Sequence, residues 1–258
     1  MPCLERKISM NKISRIVFLS AALLLALVIQ VPAQFLNVLL AQYFEQKVSL
    51  AAPEGSLWHG AAHVTLNDTQ SHRAIDLGKI AWNVQAMQLL TGKLALNMTW
   101  NEGSPFWLTI DPSRLHIEHA TFNLPGQVVQ FLVPTLSAAE LGGVISIHAE
   151  NFSLTKNQML GNFEVNWDQV TSPLSSLNPL GNYTARFEGL GDQLKIKLNT
   201  QSGSPLILQG NGQGGVHQAF DFEGSANASP DKQAQLQQVL QLIGNETATG
   251  SGVYRIKI

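Results

Sequence analysis

From about residue 55 to the C-terminus, apolar and polar residues alternate with a period of two, and this pattern constrains the fold more than any other feature of the chain. Leu94, Leu96, Met98 and Trp100 alternate with Lys93, Ala95, Asn97 and Thr99; Phe163, Val165 and Trp167 alternate with Glu164, Asn166 and Asp168. Successive side chains of a strand point to opposite faces, so each run has one buried and one wet face, as antiparallel sheets allow. The pattern returns at Ile145/Ile147/Ala149, Tyr183/Ala185/Phe187, Leu194/Ile196/Leu198, Phe220/Phe222 and Tyr254/Ile256/Ile258, with glycines at strand starts or between neighbours. Helical spacing is clearest near the C-terminus, where Ser229 is expected to cap, Pro230 suits a first turn, Leu236, Val239, Leu240 and Ile243 form a stripe, and Gly244 ends it. A second short helix is expected over "QVVQFLVP", Gln127 to Pro134. The fold class is mainly β: a curved antiparallel sheet with one or two short covering helices.

Ahead of the sheet, Ile16 to Phe44 contains no charged residue. Arg6, Lys7, Lys12 and Arg15 precede its densest part, Ile16 to Val31, and Lys47 alone follows, so the positive-inside rule keeps the N-terminus cytoplasmic and sends the rest across. The length also fits a cleavable signal ending at Val31-Pro32-Ala33. Hydrophobicity that resumes at Phe35, Leu36, Val38, Leu39 and Leu40, and a proline beside the would-be cut, favour a retained single transmembrane helix. The expected organisation is a cytoplasmic tail at 1–15, a transmembrane anchor at 16–33, a linker at 34–54 and a periplasmic β-sheet domain at 55–258. The only cysteine, Cys3, precedes the anchor, so the sheet domain has no disulfide or cysteine metal site and is held by packing. Lys and Arg are scattered singly and the formal net charge is -2, which argues against a nucleic-acid partner.

The candidate chemical motifs read as structure. "GNGQGG", Gly210 to Gly215, matches G-x-G-x-x-G, but the alternating "VHQAFDFEG" after it is no helix, so a glycine-rich hairpin is expected instead of a pyrophosphate cradle. In "HIEH", His116 and Glu118 share a strand face while His119 points away, so three metal ligands would need a bulge to converge. His59 and His63 have helical spacing inside expected strand. The sequons at Asn67, Asn97, Asn151, Asn182 and Asn245 follow from an Asn-, Ser- and Thr-rich composition. No nucleophile elbow is present. "GSLWHG", Gly55 to Gly60, reads as the first corner of the sheet, with Trp58 and Trp82 expected in the core and His59 without a partner.

A basic tail, an anchor ending in Pro32-Ala33, "GSLWHGAA", then "LGKIAWNVQAMQLLTGKLALNMTW" from Leu77 to Trp100 together resemble protein N of the bacterial type II secretion system. "GNFEVNW" at Gly161, "LNPLGNYTARFEG" at Leu177, "GNGQGG" with "FDFEGSANASP", and the closing "LQQVLQLIGNETATGSGVYRIKI" are similar to that family's C-terminal half. One departure is Ala86-Met87-Gln88, where the family often has a proline. The resemblance implies an inner-membrane accessory of the secretion machinery, with other secretion components and the inner membrane as partners. It implies no catalytic residue, cofactor or metal. Strand addition at sheet edges, or docking on the polar surface, would make those contacts. The alternative is an AsmA-like lipid-transfer protein whose apolar trough holds acyl chains; helices and loops filling the apolar face would favour the interaction module, and an open trough would favour lipid.

Overall fold

The computed structural model describes residues 12–44, 47–68, 73–248 and 250–257. Cys3, Arg6, Lys7 and Ile258 lie outside them. Helices α1 (Lys12–Ile29) and α2 (Phe35–Tyr43) lead into strands β1 (Val48–Gly55), β2 (His59–Asp68) and β3 (Arg73–Val84). After the short helix α3 (Ala86–Leu89) come β4 (Leu94–Trp100), β5 (Phe106–Ile110) and β6 (Arg114–Pro125). A covering segment, with helix α4 (Val129–Leu132) between 3-10 turns at Gly126–Val128 and Pro134–Ala139, joins β6 to β7 (Val144–Thr155). There follow β8 (Met159–Val170), β9 (Gly181–Gly191), β10 (Gln193–Thr200), β11 (Leu206–Gly215) and β12 (Asp221–Ala228), then α5 (Gln233–Ile243), β13 (Asn245–Glu246) and β14 (Val253–Lys257).

Among the described residues the strands form one 14-stranded antiparallel sheet in sequence order, except that β14 sits between β12 and β13. Antiparallel connections, most of them short hairpins, make each strand's neighbour the one before it, as period-two segments separated by turn residues favour. The first strand starts at Val48, and the span 34–54 carries α2 and β1 where a linker was expected. Among the described residues no helix is long and apolar enough to cross a membrane.

Three apolar clusters close the inner face. At the C-terminal end Leu236, Val239 and Leu240 of α5 pack with Leu180, Tyr183, Leu206, Ala226 and Tyr254, and with Ala139 of the covering segment. In the middle Trp100, Phe106, Ala120 and Ala149 are buried beside Phe122, whose ring meets Trp100 and Phe106 edge-on. At the N-terminal end Ala33, Ala62 and Trp82 pack with Leu36 of α2. Indole N–H groups tie distant segments together: Trp82 donates to the Leu57 carbonyl, Trp100 to Asn123 and Trp167 to Gly142. Buried aromatic bodies need such a partner for their one polar atom. Helix α5 starts at Gln233, later than the Ser229-Pro230 signal suggested. Ser229 supports the preceding turn through its carbonyl, which accepts from Lys232 N, instead of capping with its hydroxyl.

The alternation changes phase once in the middle of the sheet. On β6, Leu115 and Ile117 give way to Ala120, Phe122 and Leu124 as the inward series, and His119 sits between them in the left-handed region at φ 53°. Opposite it, Glu150 is the extra residue that shifts β7 against β8 between Ala149 and Asn151. Such bulges bend a sheet and raise its local twist.

Candidate functional site

The "GSLWHG" corner is where the helical N-terminus is fastened to the sheet. The Leu57 N–H donates to the Val31 carbonyl at 2.8 Å, and Ala33 N–H to the Gly55 carbonyl at 3.2 Å. Pro32 bridges Ser56. The Trp58 indole donates to the Val28 carbonyl in the last turn of α1 at 2.9 Å, satisfying an acceptor that a helix end leaves open. Trp58 is therefore half-buried at the joint, a correction to its expected place in the core, whereas Trp82 is 7% exposed and packs within it. His59 does have a local neighbour, with its ring Nδ1 3.4 Å from the Ser56 hydroxyl. Gly55 has φ +82° and Gly60 lies against Trp82, so both positions exclude a side chain.

The first edge of the sheet is capped at Leu50 by a side chain of α2. Asn37 of α2 accepts from the Leu50 N–H at 2.7 Å and donates to the Leu50 carbonyl at 2.9 Å, taking the two backbone groups that β1 turns away from β2. Further along β1, left-handed Ala52 and Pro53 break the register between Ala51 and Glu54. Natural edges are protected in these ways against pairing with another chain. At the other edge the two-residue β13 shields part of β14.

The polar face is concave over β9 to β12, enclosing about 680 Å³ among Arg186, Glu188, Lys195, Lys197, Asp221 and Glu223. Arg186 stands directly opposite Lys197 in the ladder, and its Nε donates to Glu164 at 2.7 Å on the other side. That bond, with a second from Asn166, holds the Glu164 carboxyl below its usual range. Charges of both signs alternating across a hollow suit a polar macromolecular surface of complementary pattern.

The motifs singled out in the sequence fall elsewhere. His116 and Glu118 do share a face, 2.9 Å apart, and His116 also lies 2.6 Å from the Ser153 hydroxyl. His119 is the exposed bulge residue, and His63 contacts Asp76 at 2.9 Å. Among the described residues no three His, Cys, Asp or Glu side chains gather around a common point. The glycines of "GNGQGG" lie in β11, the first arm of the hairpin that it forms with β12, as the alternation after them suggested. A Cβ on Gly210 would meet the Phe222 ring, and one on Gly212 or Gly214 the Phe220 ring, so their function is to bed two aromatic rings. Asn182 supports a bulge by accepting from Gln169 N at 2.7 Å. Asn37, Glu164 and Arg186 were not foreseen from the sequence. Asn37 had a signal, being the single polar residue within the apolar run Phe35 to Ala41.

A family model described as type II secretion system (T2SS), protein N, matches residues 46–257. No curated protein and no solved structure gives a significant match.

Proposed function

The chain belongs to the type II secretion system protein N family and so is a type II secretion system component; from that premise we propose that it is a non-enzymatic, inner-membrane accessory whose sheet lies in the periplasm and docks other parts of the secretion machinery. The family match over most of the chain carries the reading. The charge-free stretch from Ile16 to Phe44 and the exposed Phe18, Leu19, Leu23 and Leu27 of α1 support anchorage, and the basic residues before them support a cytoplasmic N-terminus. With β1 clipped by Asn37, docking uses the mixed-charge hollow of β9 to β12 in preference to strand addition at that edge. Crosslinking of the intact protein in its own membrane, from photoreactive residues at Lys195 and Lys197, tests this. Adducts to secretion components from these two positions, and none from a photoreactive residue at Ala51 of β1, which leaves the Asn37 clip in place, are expected; adducts to no secretion component would overturn it.

A second reading has its own observation. Phe152, Phe163 and Phe187 form an edge-then-stacked aromatic run on the inner face, half-buried, near the exposed Ile110 and Leu154. This strip would suit an acyl chain, as in AsmA-like proteins, while the three covered clusters favour the interaction module. Phospholipid retained stoichiometrically after detergent extraction, and lost when Phe187 is replaced by aspartate, would select the lipid reading.

A further inference from the structure

Helix α2 is apolar on both sides. Its inner side packs Leu36 into the N-terminal cluster and fastens Asn37 to Leu50, so it cannot roll without breaking that pair. Its outer side exposes Phe35, Val38 and Leu39, at helical spacing, and Phe44 follows just beyond it; Val38 is 65% exposed. A stripe of this kind, held outward by a fixed inner face, is costly in water and marks an interaction surface. What covers it follows from the chain before it. The charge-free part of α1, from Ile16 to Ile29, is only about 21 Å long at 1.5 Å per residue, short of a hydrocarbon core of about 30 Å. A short apolar segment is accommodated by thinning the bilayer and drawing its flanks inward. The inward-drawn flank here is the joint and α2, since no charge occurs before Glu45 and Val31 and Ala33 are hydrogen-bonded to the sheet corner.

We infer that α2 is an interfacial helix whose Phe35, Val38, Leu39 and Phe44 sit in the headgroup boundary of the bilayer, so that lipid is the partner of this face. This rests on the anchorage proposed above. Trp58, bonded to Val28 at the same level, belongs to the same belt. Because Asn37 and the Val31 and Ala33 bonds connect α2 to β1 and the sheet corner, the bilayer also sets the orientation of the sheet.

The test uses the full chain in phospholipid vesicles, with Cys3→Ser and a single nitroxide at Leu23→Cys, Val38→Cys or Lys195→Cys. The ratio of oxygen to nickel-chelate accessibility reads depth. A ratio at Val38 several-fold above that at Lys195 and below that at Leu23 is expected. A deep Leu23 with Val38 as aqueous as Lys195 would overturn the interfacial helix and leave the anchor standing. An aqueous Leu23 with Val38 in the boundary would overturn the anchor and support α2 alone; aqueous values at both would remove both.

Discussion

The indole of Trp58 and the carbonyl of Val28 are joined at 2.9 Å, linking the first corner of the sheet to the last turn of α1. Trp82 lies against the same corner from the core side, with its indole on the Leu57 carbonyl. The two tryptophans therefore differ in what they support. Trp82→Ala is expected to cost about 3–5 kcal/mol, as deletion of a packed aromatic does. Trp58→Ala should cost nearer 1 kcal/mol, the scale of one hydrogen bond, and His59→Ala within about 0.5 kcal/mol. Urea unfolding of the detergent-solubilised protein checks the order, and an equal loss for Trp58 and Trp82 would contradict it.

Asn37→Ala should leave the Leu50 N–H and carbonyl to water and uncover β1 as a template. The stability cost is about 1–2 kcal/mol, because both groups are only part-buried. Faster exchange of the Leu50 amide is expected, with concentration-dependent self-association on sizing columns. Unchanged exchange at Leu50 would show that the clip is not what protects the edge.

Gly210→Ala should be destabilising by about 1–3 kcal/mol, since its Cβ would run into the Phe222 ring and stand 2.9 Å from the Glu223 carbonyl. Gln213→Ala, exposed on the same strand, should be near neutral. Combining Gly210→Ala with Phe222→Leu should cost less than the sum of the two, because one relieves the crowding of the other. Strict additivity by thermal unfolding would refute the aromatic bed.

Glu164 gains its low pKa mainly from the Arg186 hydrogen bond. A carboxyl depressed in the folded state contributes stability above its unfolded pKa and loses it as pH falls through the folded value. Arg186→Ala should therefore raise the Glu164 pKa by NMR titration. It should destabilise by no more than about 1 kcal/mol at neutral pH, for a pair this exposed, and by nothing once Glu164 is protonated in both proteins. A difference that grows on acidification would have the wrong sign.

Most strands could be read from their residues because alternation is a local property: Leu94 to Trp100 and Phe163 to Trp167 carry their own evidence for a face. The exchange of Ile117 for Ala120 as the inward residue was also written there, as two period-two series out of step across Glu118 and His119. The hollow among Arg186, Lys197 and Glu223 was not legible, because it depends on which strands become neighbours and on how the sheet bends between them. Asn37 was hidden for a similar reason: its partner Leu50 is recognisable as an edge residue only once β1 is known to be the outermost strand. Trp58 and Trp82 occur in similar short motifs, and only the path of α1 separates one as a joint from the other as core.

The unbroken sequence order of the strands up to β12 has a consequence for how the molecule comes into being. Each ladder in that series closes against the strand synthesised just before it, so most loops stay short, the covering segment between β6 and β7 being the longest exception, and little chain entropy is lost at most steps. A polypeptide delivered N-terminus first can add hairpin after hairpin to a growing template, with its newest strand always serving as the temporary end. Completion waits for β14, which must slip between β12 and β13 and bring Tyr254 beside Ala226 under α5. Strand β14 thus acts as the latch of a zipper whose other teeth can already be engaged.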